Sequence, residues 1–502
     1  MPTLCGIYKD AIASLNTLDA DTEALLFAIY YSAVISTSSD QCMNILGAQR
    51  STALAHNRFL VEQALARAEF LNTQSTMLLQ AAVLFVSSFR NQDDSRTSWS
   101  LTTLIFHIAQ AMGLHRDGKL FNLSPFKTEI RRRLWWQICI LDSRGSEYHG
   151  YEPIVHGGET SFDTRLPLHV NDSDLHPDMV DEPAERWDMA TDMTLTLIRC
   201  EAMRTGWKFS QMYPKLQMIP VEGVRKVSVK DHEALVRELQ QTLEDKYLSR
   251  CDASAPYQLV SFAVGRLVIS RFWLVVHYPS NRKDGKETTL LDLDLDAEMR
   301  DRLFSASIEI LEWTNVLLNK EDLAKWTWYA KTHIQWHTMA FVLSELCSRP
   351  PSPEYDKAWA CITTVYGAWE RERSEKDIMS GPIRQLMARA RYVQQMQQVY
   401  LHQGQENQHL SLADVGCHPY TPLELSGPQL LSVSNLVWPP GAFSLHDVHT
   451  NTLEEVFRRA TLDPCTGLLP ELPSHLFRSL VGSEESSQSM YDQNTMENWD
   501  AF

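Results

Sequence analysis

The sequence contains no two cysteines in CxxC spacing, although it has 502 residues and 9 cysteines. Its thiols stand apart at Cys5, Cys42, Cys139, Cys200, Cys251, Cys347, Cys361, Cys417 and Cys465. Structural zinc needs clustered ligands, and disulfide frameworks favour even, regular sets. An odd, scattered set fits reduced thiols instead. Basic charge is short as well: 46 Lys and Arg face 63 Asp and Glu, a formal net charge of −17. A phosphate backbone repels that surplus, which excludes a chain-wide electrostatic grip on nucleic acid. Met1–Asp10 has Lys9 as its only basic side chain and no apolar core, so a secretory signal is not expected. Long apolar runs are lacking too. Ala24–Ile35 is short, and Arg266 and Arg271 interrupt Tyr257–Tyr278, so neither is expected to cross a bilayer. Together these absences point to a soluble intracellular chain.

The familiar signatures of catalysis are missing: no GxSxG elbow, no GxxxxGKS/T phosphate loop and no HExxH helix. His333 and His337 are four apart, a spacing that puts two imidazoles on one helix face, but no glutamate base lies between them. Packing beside Trp336 is the simpler reading. No catalytic residue, metal ligand or cofactor is expected.

What is present is a 44% hydrophobic, 22% charged chain with helical periodicity. Met77, Leu78, Ala81, Ala82, Phe85 and Phe89 recur at three- and four-residue spacing. So do Trp99, Leu101, Leu104, Ile105, Ile108 and Met112, with Gly113 at the helix end. Ser124-Pro125 opens the next helix with a capping hydroxyl and a proline at the first helical position. Its stripe is Ile130, Leu134, Ile138 and Leu141. Further stripes occupy Ala24–Ile35, Leu60–Leu71, Leu195–Tyr213, His232–Tyr247, Leu259–Val276, Leu303–Leu318, Ala330–Leu346 and Ile383–Tyr400. The expected fold is all-α, an array of stacked antiparallel helix pairs followed by an irregular C-terminal region. The expected boundaries are 1–405 for the helical domain, 406–482 for a proline-containing stretch with a short helix, and 483–502 for an acidic, aromatic tail.

One irregular segment interrupts the helices, Gly145–Pro183. It holds His149, Glu152, His156, Glu159, Asp163, His169, Asp172, Asp174, His176 and Asp178. Imidazole and carboxylate can bind a divalent ion, but acids that cap neighbouring helices produce the same composition. Just before it stand Arg131, Arg132 and Arg133, then Trp135 and Trp136, and finally Asp142, Ser143 and Arg144. Arg131 and Trp135, like Arg132 and Trp136, are four apart, a spacing at which guanidinium planes can lie over indoles. The tryptophans would anchor the helix, and the arginines would pair with acids from the following loop.

Three pieces in this order resemble the fungal-specific transcription factor domain, the regulatory middle region of binuclear zinc-cluster regulators. They are Ile108–Asp117, the helix from Arg131 to Asp142, and the loop with Asp163, Arg165, Leu166, Pro167, Asn171 and Asp172. The core of the resemblance is 98–179, and it extends over most of residues 20–400. It implies a nuclear regulator of RNA polymerase II transcription, without enzymatic activity, whose helical domain holds the activator in check, senses metabolites or dimerises, with itself or with another zinc-cluster regulator. Many such relatives control secondary-metabolite gene clusters, so a pathway-specific activator is the extension it suggests. The family's DNA-binding module, a six-cysteine cluster, is not in this sequence. DNA contact is therefore expected only indirectly, or through a module outside these residues. The alternative is a helical interaction protein that modulates a complete zinc-cluster regulator without touching DNA. In the tail, Tyr491, Trp499 and Phe502 alternate with acids and no base, a pattern suited to docking on the transcription machinery or a coactivator.

Overall fold

Apolar residues at helical spacing form helices wherever the chain is described. The computed structural model describes residues 2–13, 18–89, 95–149, 153–155, 162–212, 229–277, 297–331, 336–372 and 380–413. Among them are fifteen α-helices and no strand, an all-α protein. Two compact units are distinguished, one comprising Thr3–Val34 and Ser38–Phe85, the other running from Val86 onward.

The first unit takes in most of α1 (Pro2–Ala13), α2 (Ala20–Ser36), α3 (Ser39–Leu46), α4 (Arg50–Arg67) and α5 (Thr76–Phe89). The Asp19 carboxylate accepts the Thr22 N–H at 2.9 Å and the Thr22 hydroxyl at 2.8 Å, capping α2. Those bonds hold the Asp19 carboxyl below its usual range. A reciprocal capping box between Ser38 and Gln41 starts α3, and Gly47 at φ 65° ends it. The core of the unit is apolar. Ala24, Ala28, Leu78 and Leu79 are buried, and Tyr31 meets the edge of Phe85 at 5.4 Å. The short α3 was not expected, because Cys42 is the one side chain it buries.

The second unit contains α6 (Ser95–Ala111), α7 (Pro125–His149), α8 (Thr194–Met212), α9 (Val229–Lys246) and α10 (Pro256–His277). It continues with α11 (Ala297–Asn319), α12 (Thr327–Lys331), α13 (Trp336–Leu346), α14 (Pro353–Glu372) and α15 (Ser380–Ala413). Consecutive helices pack together, α6 on α7, α8 on α9, α10 on α11 and α13 on α14. Two hydrophobic clusters are defined among the described residues of its interior. Met193, Leu197, Ile198, Leu239, Leu243 and Ile269 join α8, α9 and α10, and a larger cluster joins α10, α11, α13, α14 and α15.

Several expectations need correction. The helix α7 continues to His149, so the irregular segment begins later than Gly145. The stripe Ala330–Leu346 is split between α12 and α13. The helix α14 lies outside the expected stripes, although Tyr355, Trp359, Ile362, Tyr366 and Trp369 repeat at helical spacing and are buried. By length and composition, α10 is apolar enough to cross a bilayer. It packs instead against α8, α9 and α11 as a core helix, and Arg266 pairs with Glu244 at 3.3 Å. The expected tail, with Tyr491, Trp499 and Phe502, and the stretch from 414 onward lie outside the described residues.

Candidate functional site

The arginine triplet faces inward. At the end of α6 the chain turns through Gly113 at φ 72°, then enters the run Leu114 to Gly118. Gly118 is needed because α7 crosses it closely: a Cβ there would lie 2.7 Å from Thr128 Oγ1 and 3.0 Å from Thr128 Cα. This proximity brings Asp117 beside Arg132. Arg132 Nε and Nη2 donate to the two Asp117 oxygens at 2.8 and 3.0 Å, and Nη1 donates to Glu182 at 2.8 Å. Arg132 is 1% exposed and Asp117 4%, so this is a bidentate pair in the interior. Burial would raise the Asp117 carboxyl, but the bonds from Arg132 and from the Arg165 and Lys119 amides outweigh it and hold the group below its usual range.

Arg133 does the same work one step along. Its Nε donates to Glu129 at 2.8 Å and its Nη1 to Asp172 at 2.6 Å. Glu129 is fully buried and accepts the Leu168 N–H on both oxygens at 3.2 Å. Burial pushes its carboxyl up despite Arg133. Arg131 is different: its Nη2 donates to the Met112 carbonyl at 2.9 Å, closing the end of α6, and its guanidinium lies 6.0 Å from the Phe121 ring centre. The expected stacking of these arginines on Trp135 and Trp136 is therefore not what forms. Carboxylates and a helix-end carbonyl give charged donors stronger partners than an indole face.

The tryptophans hold the loop instead. Trp136 Nε1 donates to the Arg165 carbonyl at 2.8 Å, and its ring packs on Phe162 and Trp207 at 5.6 and 5.9 Å. Trp135 meets Phe106 and Phe162 at 5.4 and 5.7 Å. Asp163 accepts the Asp117 N–H at 2.8 Å and pairs with the exposed Arg116 at 3.0 Å. The Thr164 hydroxyl donates to the Leu114 carbonyl at 2.7 Å. Leu166 packs on the α8–α9–α10 cluster, and Pro167 is buried. Asn171 forms a capping box with Asp174 and accepts the Asp192 N–H at 3.0 Å. Asp142 accepts the Val155 N–H at 3.1 Å.

The loop's acids and histidines therefore serve as caps and pair partners, and no group able to hold a metal ion occurs among the described residues. His169 is wholly buried between Trp187 at 4.8 Å and Tyr247 at 5.6 Å, with its Nε2 3.0 Å from the Thr194 hydroxyl. Burial lowers its pKa. His176 and Asp178 are exposed. His333 and the side chain of His337 fall outside the described residues, as do Glu152, His156 and Glu159. Asp117, Glu129 and Glu182 are the partners the sequence reading missed. Glu182 is 50 residues from Arg132, and no local pattern links them.

Residues 12–200, which include this clasp, match the family model described as "Fungal specific transcription factor domain". The chain carries that domain. Over 365 residues it is 32% identical to the "Aurofusarin cluster transcription factor aurR2" of Gibberella zeae, covering 73% of this chain and 52% of the relative. It is 29% identical to the "C6 finger domain transcription factor hasF" of Aspergillus fumigatus, covering 70% and 47%. The "Pyriculol/pyriculariol biosynthesis cluster transcription factor 1" of Pyricularia oryzae is also 29% identical, with 73% and 48% covered. The chain thus spans about half the length of the curated relatives it matches. The structure of the K. lactis CBF3 core aligns with 82% of this chain and 80% of its own at 12% identity, with a TM-score of 0.49.

Proposed function

We propose that the chain is a pathway-specific regulator of RNA polymerase II transcription acting on a secondary-metabolite gene cluster in the nucleus. The observation that carries this reading is the alignment of nearly three quarters of the chain with transcription factors, two of them named for biosynthetic clusters. Residues 1–405, which include the matched 12–200, serve as the regulatory body of such a protein, followed by the proline-containing stretch and the acidic tail. It performs no catalysis. The clasp residues Arg131–Arg133, Trp135, Trp136, Asp142, Asp163, Arg165–Pro167, Asn171 and Asp172 position the loop on the helices. The tail, through Tyr491, Trp499 and Phe502, contacts a coactivator.

The geometry bears on how DNA is reached. Arg132 and Arg133 are engaged by carboxylates, and Arg131 by a backbone carbonyl, so the most basic stretch of the chain offers little to a phosphate backbone. Promoter contact then comes from a zinc-cluster module or from a dimer partner that has one. Deleting the gene is expected to remove the transcripts of one biosynthetic cluster, and unchanged transcripts would refute the regulator reading. Chromatin immunoprecipitation with and without a zinc-cluster partner separates direct from borrowed DNA contact.

A further inference from the structure

Helices α14 and α15 both pack on α13, and two side-chain bridges join them. Arg384 pairs with Glu370 at 3.4 Å near their connection, and the Tyr355 hydroxyl donates to Gln397 Oε1 at 2.9 Å farther away. Between these bridges lies an open groove of about 560 Å³. Its walls include Trp359, Ala360 and Thr363 from α14 and Arg391, Gln394 and Gln395 from α15. That volume is within the range of small-ligand sites, roughly 300–1,000 Å³. Trp359 is 6% exposed and gives the groove an apolar indole surface, whereas Arg391 is exposed. The Arg391 guanidinium lies 5.9 Å from the centre of the Tyr366 ring and forms no ion pair with a carboxylate among the described residues. Glu370 is already engaged: it pairs with Arg384 and accepts the Tyr366 hydroxyl at 3.0 Å.

A guanidinium is matched best by a planar anion that takes two parallel N–H bonds, as a carboxylate does. A ring face at 5.9 Å supplies a weaker partner than that. One positive charge with no acid of its own suits a single negative charge better than a doubly charged phosphate. The indole surface favours a flat ring over an aliphatic chain. The Thr363 hydroxyl and the Gln394 and Gln395 amides can donate to and accept from polar substituents on such a ring. We propose that the α14–α15 groove binds a small aromatic carboxylic acid, with Arg391 taking the carboxylate and Trp359 the ring. The site goes beyond the regulatory reading and stands whether or not the chain acts on transcription.

The test titrates the full chain with sodium salicylate and follows the ligand by saturation-transfer NMR at constant ionic strength. Salicylamide, which keeps the ring and hydroxyl but carries no charge, is run in a separate arm. Salicylate is expected to bind saturably with a dissociation constant of about 1 mM or below, and salicylamide about tenfold more weakly or worse. Arg391→Gln is expected to weaken salicylate by about tenfold or more. Ala360→Phe, which fills the groove and removes no polar group, is expected to abolish binding. Both positions are exposed, so both variants should keep the circular dichroism of the unaltered chain. Arg116→Gln, which changes an exposed arginine in the clasp, retains binding. The proposal is overturned if salicylate shows no saturable binding to the unaltered chain, or if salicylamide binds as tightly. It is equally overturned if Arg391→Gln or Ala360→Phe binds salicylate as the unaltered chain does, or if Arg116→Gln loses binding as fully as they do.

Discussion

Arg132 and Arg144 lie on one helix, the first enclosed by Asp117, Glu129 and Glu182, the second set beside Arg199 and Arg271. The first region is matched donor for acceptor: its guanidinium makes three bonds to carboxylates at 2.8 to 3.0 Å. At the second, burial and then the Arg199 charge lower the Arg144 pKa to about 10, and Arg144 keeps further contacts within the protein. Residue type and helix are the same, so the difference lies in what other segments deliver to each end of α7. The clasp end receives acids from the turn before α7 and from the loop after it. Beyond the clasp, α7 packs against α8, which carries Arg199.

The comparison can be broken most forcefully at Arg132. Arg132→Met would leave Asp117 and Glu129 buried beside an apolar chain, at an expected cost of about 3–5 kcal/mol in urea unfolding. Gly118→Ala comes next. Its methyl would press on Thr128, with an expected loss of about 1–3 kcal/mol by the same measurement.

A smaller effect tests the loop through pH. The His169 pKa is lowered by burial, so the unfolded chain takes up this proton at a higher pH than the folded one. The stability that depends on neutral His169 is therefore present above the unfolded value of about 6.5 and lost as pH falls below it. His169→Phe keeps an aromatic ring between Trp187 and Tyr247. It is expected to flatten the decline of the thermal midpoint between pH 7 and pH 5; an unchanged slope would remove His169 from the account. Smallest of all is Arg116→Ala. Its pair with Asp163 is exposed at both ends, 46% and 38%, and its loss is expected to cost under about 1 kcal/mol.

Much of the fold was legible because burial imposes a period on the sequence. The start of α7 at Ser124-Pro125 and the turn at Gly113 were readable from capping chemistry, which acts within four residues. The α14 stripe of Tyr355, Trp359, Ile362, Tyr366 and Trp369 carries the same period. The clasp was only half legible. Pairing of Arg132 and Arg133 with loop acids follows from charge, and both Glu182 and Asp172 come from that loop. That Asp117 would turn back on Arg132 depended on how closely Gly118 approaches Thr128, a tertiary fact with no local signature. The Arg–Trp stacking was misread for a related reason. Spacing along one helix shows which side chains can meet, and distant segments decide which of them do.

The close passage at Gly118 also bears on the order of events in folding. The bonds that depend on it join residues 15 and 50 apart, Asp117 and Glu182 to Arg132. Contacts that close such loops form after the helices that bear them, because loop closure costs entropy before it returns any stabilisation. Interactions absent from the transition state slow escape from the native state while leaving the rate of reaching it almost unchanged. The clasp thus sets the lifetime of the folded domain more than the speed of its formation.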